Sequence, residues 1–458
     1  MATALVVGNM VGSGVFLLPA TLAGTAGPVS MLGWVFTGAG AVLLALVFAN
    51  LGRAFPRTGG PYAYARRAFG DFVGFQTAWG YWIAVWAGNA AIAVAFVSYL
   101  TVFWPEVGDS NLLGALVGIA LIWLLTATNI LGVREGAFVQ LVTTVLKFVP
   151  LAVIGIVGLF FIDGGNYEPF APHGASLSLL STTAALTLWA FIGLESATVP
   201  AEEVKDPERT IPRATILGTI AATALYIVAT VSIMGIIPTD QLAVSASPFA
   251  DAAGEVFGGG WDKVIALVAL VSTFGALNGW ILLQGRVPLA AAEDGMFPKP
   301  FARVHGTRRT PVFGLVVSSI LVSALMLMNY TKGLLDAFEF VILLATLTTL
   351  VPYAFSAAAQ AWLWLVEPES FQAKHLIRDT VVAVLAFAYS VWAIAGAGDD
   401  IVTKGFVLLL CGIPVYVAMR WWERRTAPQV PVEPAVSVNG ARFPAERPVT
   451  KVGANGAR

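Results

Sequence analysis

Gly8-Asn9-Met10-Val11-Gly12-Ser13-Gly14-Val15-Phe16 interrupts an apolar run that extends over residues 3–24. Two glycines flanking a serine near the middle of such a run permit a short unwound stretch. In hydrocarbon every unpaired backbone group costs several kcal/mol, so the freed N–H and C=O groups need a cavity or a ligand. The same device recurs in residues 178–199, where Trp189-Ala190-Phe191-Ile192-Gly193-Leu194-Glu195-Ser196 places a glycine and then a carboxylate at mid-depth. The plainer reading of Gly12-Ser13-Gly14 is close packing of small residues between helices. Recurrence of the break at the start of a second set of spans favours unwinding instead, and with it an inverted-repeat secondary transporter whose site lies near the midplane.

The surrounding sequence is that of a membrane protein. Of 458 residues 57% are hydrophobic and 12% charged, about half the charged share of a soluble domain. Apolar stretches long enough to cross a bilayer as helix recur about twelve times, at 3–24, 30–50, 72–103, 112–132, 137–162, 178–199, 213–237, 262–291, 311–329, 335–365, 378–396 and 403–420. No basic segment precedes the first, so it does not read as a cleaved signal peptide. Only Met1 to Val11 lie before the first break, about 16 Å of helix. The expectation is that the natural start lies upstream, or that this half-helix is loosely held. Loops after even-numbered spans carry Arg53, Arg57, Arg66, Arg67, Arg134 and Lys205 among many cations, whereas the opposite loops hold only Lys263, Lys332 and Lys404. The positive-inside rule then puts both termini in the cytoplasm. Residues 1–425 form the transporting domain in this reading. Residues 426–458, rich in proline and small side chains, form a disordered cytoplasmic tail.

Other function classes find little support. A net charge of −1 argues against nucleic acid. Cys411 is the sole cysteine, and the three histidines (His173, His305, His375) are scattered, so neither a disulfide framework nor a metal centre is expected. The chain has no Gly-Lys pair, hence no phosphate-binding loop, and no cofactor or enzymatic constellation is expected. A channel would want a polar pore lining or rings of charge, whereas these breaks read as a compact, occluded site. The half-helix beginning after Gly14 would present N–H groups to a carboxylate, and the carbonyl ends before each break suit an ammonium. A zwitterion fits both.

Four stretches carry a resemblance: GNMVGSGVFLLPA (Gly8 to Ala20), GGPYAYARRAFG (Gly59 to Gly70), LWAFIGLESATVPAEEVKDPERTIPRAT (Leu188 to Thr215) and AAAEDGMFPKPFARV (Ala290 to Val304). They resemble the amino acid–polyamine–organocation superfamily and, within it, the basic amino acid/polyamine antiporters, most of all those exchanging arginine for agmatine. The resemblance runs from Gly8 to the end of the twelfth span. It implies an all-α polytopic membrane fold of about 12 transmembrane helices, a 5+5 inverted repeat with broken helices 1 and 6 plus two extra C-terminal spans. It also implies a homodimer in the bacterial inner membrane that works by alternating access. Residue by residue, Ser13 and Gly14 would hold the substrate carboxylate, and carbonyls of Met10, Trp189 and Ile192 the α-ammonium. Trp280 would stack on the substrate side chain. Ala84 and Val85 carbonyls with the Asn89 amide would line the far end. Trp189 would form a near gate, and Tyr81, Glu195 and Tyr353 a farther one. Bundle packing is the plainer role for Trp280 and Tyr81, and an interhelical hydrogen bond for Asn89. Glu195 is harder to dismiss, since intramembrane carboxylates are rare and functional by default. Arg66, Arg67 and the Glu202-to-Pro207 run read as structural or inner-gate charge pairs.

The pattern departs at four places. Ala345 stands where arginine-exchanging relatives offer a serine, Ile92 replaces a methionine, and Asn278 replaces a glycine. Lys147 occupies a position that is apolar in those relatives and a lysine in proton-coupled permeases of the superfamily. It lies 13 residues beyond Arg134, about 20 Å along a helix. Its lysine either carries a proton, since desolvation lowers a lysine pKa, or is satisfied by carbonyls. The leading expectation is exchange of a basic amino acid such as arginine for its decarboxylated amine such as agmatine. Decarboxylation consumes a proton inside, so that exchange would serve acid resistance. The alternative is proton-coupled amino-acid symport through Lys147.

Overall fold

The first apolar run is divided at Val11-Gly12 into α1 (Ala2–Met10) and α2 (Ser13–Thr25). This computed structural model describes residues 2–57, 59–132, 148, 151–199, 201, 204–306, 308, 310–328, 331 and 333–426. Beyond the break come α3 (Met31–Ala54), α4 (Pro61–Phe69), α5 (Asp71–Leu100) and α6 (Asn111–Leu131). The fifth span is described as α7 (Leu151–Phe161), and α8 (Leu177–Leu188) opens the sixth. There follow α9 (Pro207–Ile236), α10 (Pro248–Phe257), α11 (Trp261–Glu293), α12 (Val312–Met328) and α13 (Leu334–Val366). The last are α14 (Leu376–Gly396), α15 (Asp399–Leu410) and α16 (Gly412–Thr426).

Among the described residues, eight helices are long and apolar enough to cross a membrane, and four shorter apolar ones accompany them. Together they fall on the twelve expected segments. Met1–Tyr416 forms one compact unit, and Val417–Arg458 a second. Within the latter, Arg425 lies 3.9 Å over the Trp421 ring. Lys147 and the expected tail beyond Thr426 lie outside the described residues, as do Glu202 and Glu203.

Helices at equivalent places in the two five-span sets pack against each other. The third helix, α3, runs along α9; α5 runs along α11; α6 packs on α12; and α2 meets the end of α8. These are spans 2 with 7, 3 with 8, 4 with 9 and 1 with 6, the pairing expected of an inverted repeat. At the centre lies α5, whose most apolar window is 89% buried, against 44% for α6. On the outside, Val264, Leu267, Val271 and Phe274 of α11 are exposed. Their three- and four-residue spacing forms one apolar stripe, a surface suited to hydrocarbon.

Loops after even-numbered spans converge on one side. Arg66 Nε lies 3.0 Å from Asp71 Oδ1, and its Nη1 3.9 Å from Asp294 Oδ2. Tyr62 donates to the same Asp294 oxygen at 3.1 Å. Burial, then the Asp294 carboxylate, pushes that phenol above its ordinary range. Arg67 reaches Glu367 with Nε at 3.1 Å and Nη2 at 2.5 Å, while its guanidinium lies 4.4 Å from the Phe55 ring centroid. These pairs are partly exposed and individually weak. Their contribution is to fasten the loops after spans 2, 8 and 10.

The sixth span departs from a simple broken helix. After α8 the chain makes a single 3-10 turn, Trp189–Phe191, and then extends at Ile192 (ψ 127°). Gly193 takes φ +110°, a region that side chains disfavour. From there Leu194, Ser196 and Thr198 N–H groups donate to Phe191, Gly193 and Glu195 carbonyls, a run of separate turns and no α-helix. Local side chains compete for the backbone: Thr198 Oγ1 donates to the Glu195 carbonyl at 2.7 Å, and Gly193 N–H donates to the Glu195 carboxyl at 3.1 Å. The last span is likewise interrupted at Cys411, where α15 ends.

A Cβ on Gly193 would lie 3.1–3.2 Å from Asn9 atoms as well as adopting the strained φ. Gly193→Ala is therefore expected to cost about 1–3 kcal/mol of stability, read as a lowered melting temperature of the purified protein in detergent.

Candidate functional site

Where α1 stops, its last turn leaves carbonyls without intrahelical donors, and α2 starts with N–H groups likewise free. Gly12, which lacks a side chain, gives α2 no side-chain cap. Ser13 is 2% exposed, and its Oγ has no hydrogen-bond partner among the described residues. A buried hydroxyl at a helix start, beside free N–H groups and the positive end of the helix dipole, is a set of donors awaiting an acceptor.

The two breaks hold each other. Gly14 approaches Ala190 and Trp189 so closely that a Cβ would lie 3.1 Å from both. Gly193 rests against Asn9 in the same way, and Asn9 Nδ2 donates to Ser196 Oγ at 2.8 Å. Tyr226 of α9 adds a bond from its hydroxyl to the Ala190 carbonyl at 2.9 Å.

A cavity opens beside this junction. It is lined by Met10, Ser13, Gly14, Ala84, Val85, Trp189, Ile192 and Trp280, all foreseen as substrate contacts, and by Asn9, Gly12, Gly88 and Ile92. None of the twelve is charged. Sequence reasoning passed over Gly88, where a Cβ would lie 2.8 Å from the edge of the Trp189 ring. Its signal was a glycine one helical turn after Ala84, the near side of the seat that Trp189 occupies. Asn9 was hidden because its amide acts across the two breaks.

Asn89 is placed differently. It is fully buried, and its Nδ2 donates to Gln284 Oε1 of α11 at 2.7 Å. Val85, Gly88 and Ile92, its neighbours on the same helix, line the cavity. Two of the departures lie away from the lining. Ala345 is buried in α13, its carbonyl accepting from Thr349 Oγ1 at 2.8 Å. Asn278 accepts from Asn129 Nδ2 at 2.8 Å, linking α11 to α6. Ile92 alone of the described departures faces the cavity.

Tyr81, Glu195 and Tyr353 come together. Glu195 is fully buried. Tyr81 donates to its Oε1 at 2.5 Å, Tyr353 donates to Oε2, and the Gly193 N–H also donates to Oε2. Two carboxyl oxygens thus gather helices α5 and α13 and the second break at one point. Such a knot opens only if all three donors find other acceptors.

Residues 1–418 match the amino acid permease family. The chain is 34% identical over 439 residues to the cadaverine/lysine antiporter of Escherichia coli (strain K12), covering 93% of this chain and 95% of that one. It is also 34% identical over 414 residues to the arginine/ornithine antiporter of Pseudomonas aeruginosa, covering 86% and 85%. To a putrescine transporter of Haemophilus influenzae it is 33% identical over 416 residues, covering 90% and 94%.

Removing either phenol leaves a buried carboxyl oxygen with fewer donors. Tyr81→Phe and Tyr353→Phe are each expected to cost about 1–3 kcal/mol. Because both act on one carboxylate, their effects should be non-additive by about 0.5 kcal/mol or more. Thermal melts of the two single variants and the double variant in detergent measure this.

Proposed function

The chain belongs to the amino acid permease family, and we propose that it exchanges a basic amino acid, arginine foremost, for a second basic amino acid or the corresponding amine. The observation that carries this is the unpartnered Ser13 hydroxyl at the start of α2, buried in a cavity walled by Trp189 and Trp280. A carboxylate there accepts from Ser13 Oγ and the first N–H groups of α2, including that of Gly14. The α-ammonium donates to the carbonyls of Met10, Trp189 and Ile192, which the breaks leave free of a regular helix. The side chain then runs towards Trp280, Ala84 and Val85. An aromatic face and carbonyls suit a flat cation better than they suit an apolar group.

Exchange is favoured over symport because the relatives' names speak of antiport. Transport needs the loaded site to face each side in turn. The short arms on either side of the breaks are the parts free to swing. Trp189 covers the cavity from one side, and the Tyr81–Glu195–Tyr353 knot closes the path farther out. The clustering of cations in the even loops supports a cytoplasmic location for both termini of a bacterial inner-membrane protein. If the outgoing partner is a decarboxylated amine, each turnover removes a product whose formation consumed one proton.

The amine lacks a carboxylate, so the N-terminal clamp distinguishes the two partners. In proteoliposomes loaded with unlabelled arginine, lysine, ornithine, agmatine, cadaverine or putrescine, uptake of labelled arginine should be accelerated by the true partners alone. Ser13→Ala should raise the KM for arginine by about threefold to tenfold and leave that for the amine unchanged. An equal loss for both would place the carboxylate elsewhere. Gly14→Val, whose side chain would enter the space held by Ala190 and Trp189, should abolish exchange in correctly inserted protein.

A further inference from the structure

Behind the cavity wall, a chain of buried polar groups crosses four helices. Asn89 Nδ2 of α5 donates to Gln284 Oε1 of α11 at 2.7 Å. Gln284 Nε2 in turn donates to Ser319 Oγ of α12 at 2.9 Å and to the Leu315 carbonyl at 3.4 Å. Ser319 Oγ lies 2.7 Å from Thr126 Oγ1 of α6, which donates to the Ile122 carbonyl at 2.7 Å. Asn89, Gln284, Ser319 and Thr126 are all fully buried.

The order of donors and acceptors in this chain is fixed from its far end. A backbone carbonyl only accepts, so the Leu315 oxygen requires the amide nitrogen of Gln284. That leaves Gln284 Oε1 facing Asn89. Asn89 must then present its NH2 group to Gln284, and its own oxygen is left over. Asn89 Oδ1 is indeed buried with no partner among the described residues. An acceptor without a donor in a dry interior is costly unless a ligand supplies one. Asn89 lies one helical turn from Val85 and beside Gly88, and Gln284 lies one turn beyond Trp280; Val85, Gly88 and Trp280 all line the cavity.

We propose that Gln284 is a specificity-determining positioning residue: by locking the Asn89 amide with its oxygen free, it makes the distal end of the cavity accept donors only. The inference rests on the reading of the cavity as a basic amino-acid site. It selects ligands whose distal end carries N–H groups and no acceptor, such as a guanidinium. It disfavours a near-isosteric urea, whose carbonyl would meet another acceptor. Without Gln284, the Asn89 amide can turn over, present NH2 and tolerate the urea.

The test compares arginine with citrulline as competitors of labelled arginine in exchange by reconstituted protein. Wild type should prefer arginine strongly. Gln284→Met, similar in volume and without polar atoms, should cut that preference by about tenfold or more. Gln284→Glu, ionised or protonated, still offers Asn89 an acceptor and should retain the preference. Ser318→Ala removes another buried bond on the same helices, that from Trp82 Nε1 at 2.8 Å, and should also retain it. Where Gln284→Met does not assemble, Gln284→Ser, too short to reach Asn89, should lose the preference in the same way. An unchanged arginine/citrulline ratio in the assembled Met or Ser variant overturns the role of Gln284, as does an equal loss in Ser318→Ala. Wild type that neither binds nor exchanges arginine would instead overturn the reading of the cavity itself.

Discussion

A backbone unwound inside a membrane must be satisfied by protein, because water is absent and each free polar group costs several kcal/mol. In this chain the two unwound stretches meet that requirement jointly. Gly14 presses on Trp189 and Ala190, Gly193 presses on Asn9, and the Asn9 amide bonds to Ser196. Straightening either break would remove contacts that hold the other. What this mutual packing leaves over is small and directed: the Ser13 hydroxyl and the uncapped N–H groups that open α2. Those leftovers define the cavity.

The surroundings divide into two kinds of contact. Helices α5, α6, α11 and α12 are cross-linked by buried side-chain hydrogen bonds running from Asn89 to Thr126, which hold one wall of the cavity to a fixed shape. Opposite them, the breaks are held mainly by van der Waals contact against glycines and by the carboxyl of Glu195. A rigid wall facing a jointed one is the mechanical arrangement that lets a bound solute be presented to two sides while its distal contacts stay in place. The partly exposed ion pairs of Arg66 and Arg67 fasten the loops after spans 2, 8 and 10 on one face, and they are weak enough to part during such motion.

The neutrality of the cavity lining bears on selectivity. A cationic side chain without a carboxylate partner relies on carbonyl dipoles and aromatic faces, which are directional and weaker than an ion pair. Weak, directional holding suits a carrier that must release what it binds. It also makes the polarity of single amides, such as that of Asn89, matter more than it would beside a full charge.

Much of the fold is written in the sequence itself, because hydrocarbon imposes a length and an apolar content that each span must meet. Twelve segments and two breaks follow from that constraint, and Gly12, Ser13, Gly14, Gly193 and Glu195 mark the breaks by being wrong for an ordinary span. Contacts between residues far apart in the chain carry no such mark. Gly88 looks like any small residue until the Trp189 ring is set against it, and Asn9 until Ser196 is found 187 residues away. Local competition decided that the sixth span continues as turns, through Glu195 and Thr198 bonding to the nearby backbone. Asn89 is the clearest case. Its residue type announces a polar contact inside the membrane, but an amide can donate or accept, and only the tertiary arrangement, with a carbonyl at Leu315 that can do nothing except accept, sets which end is left free.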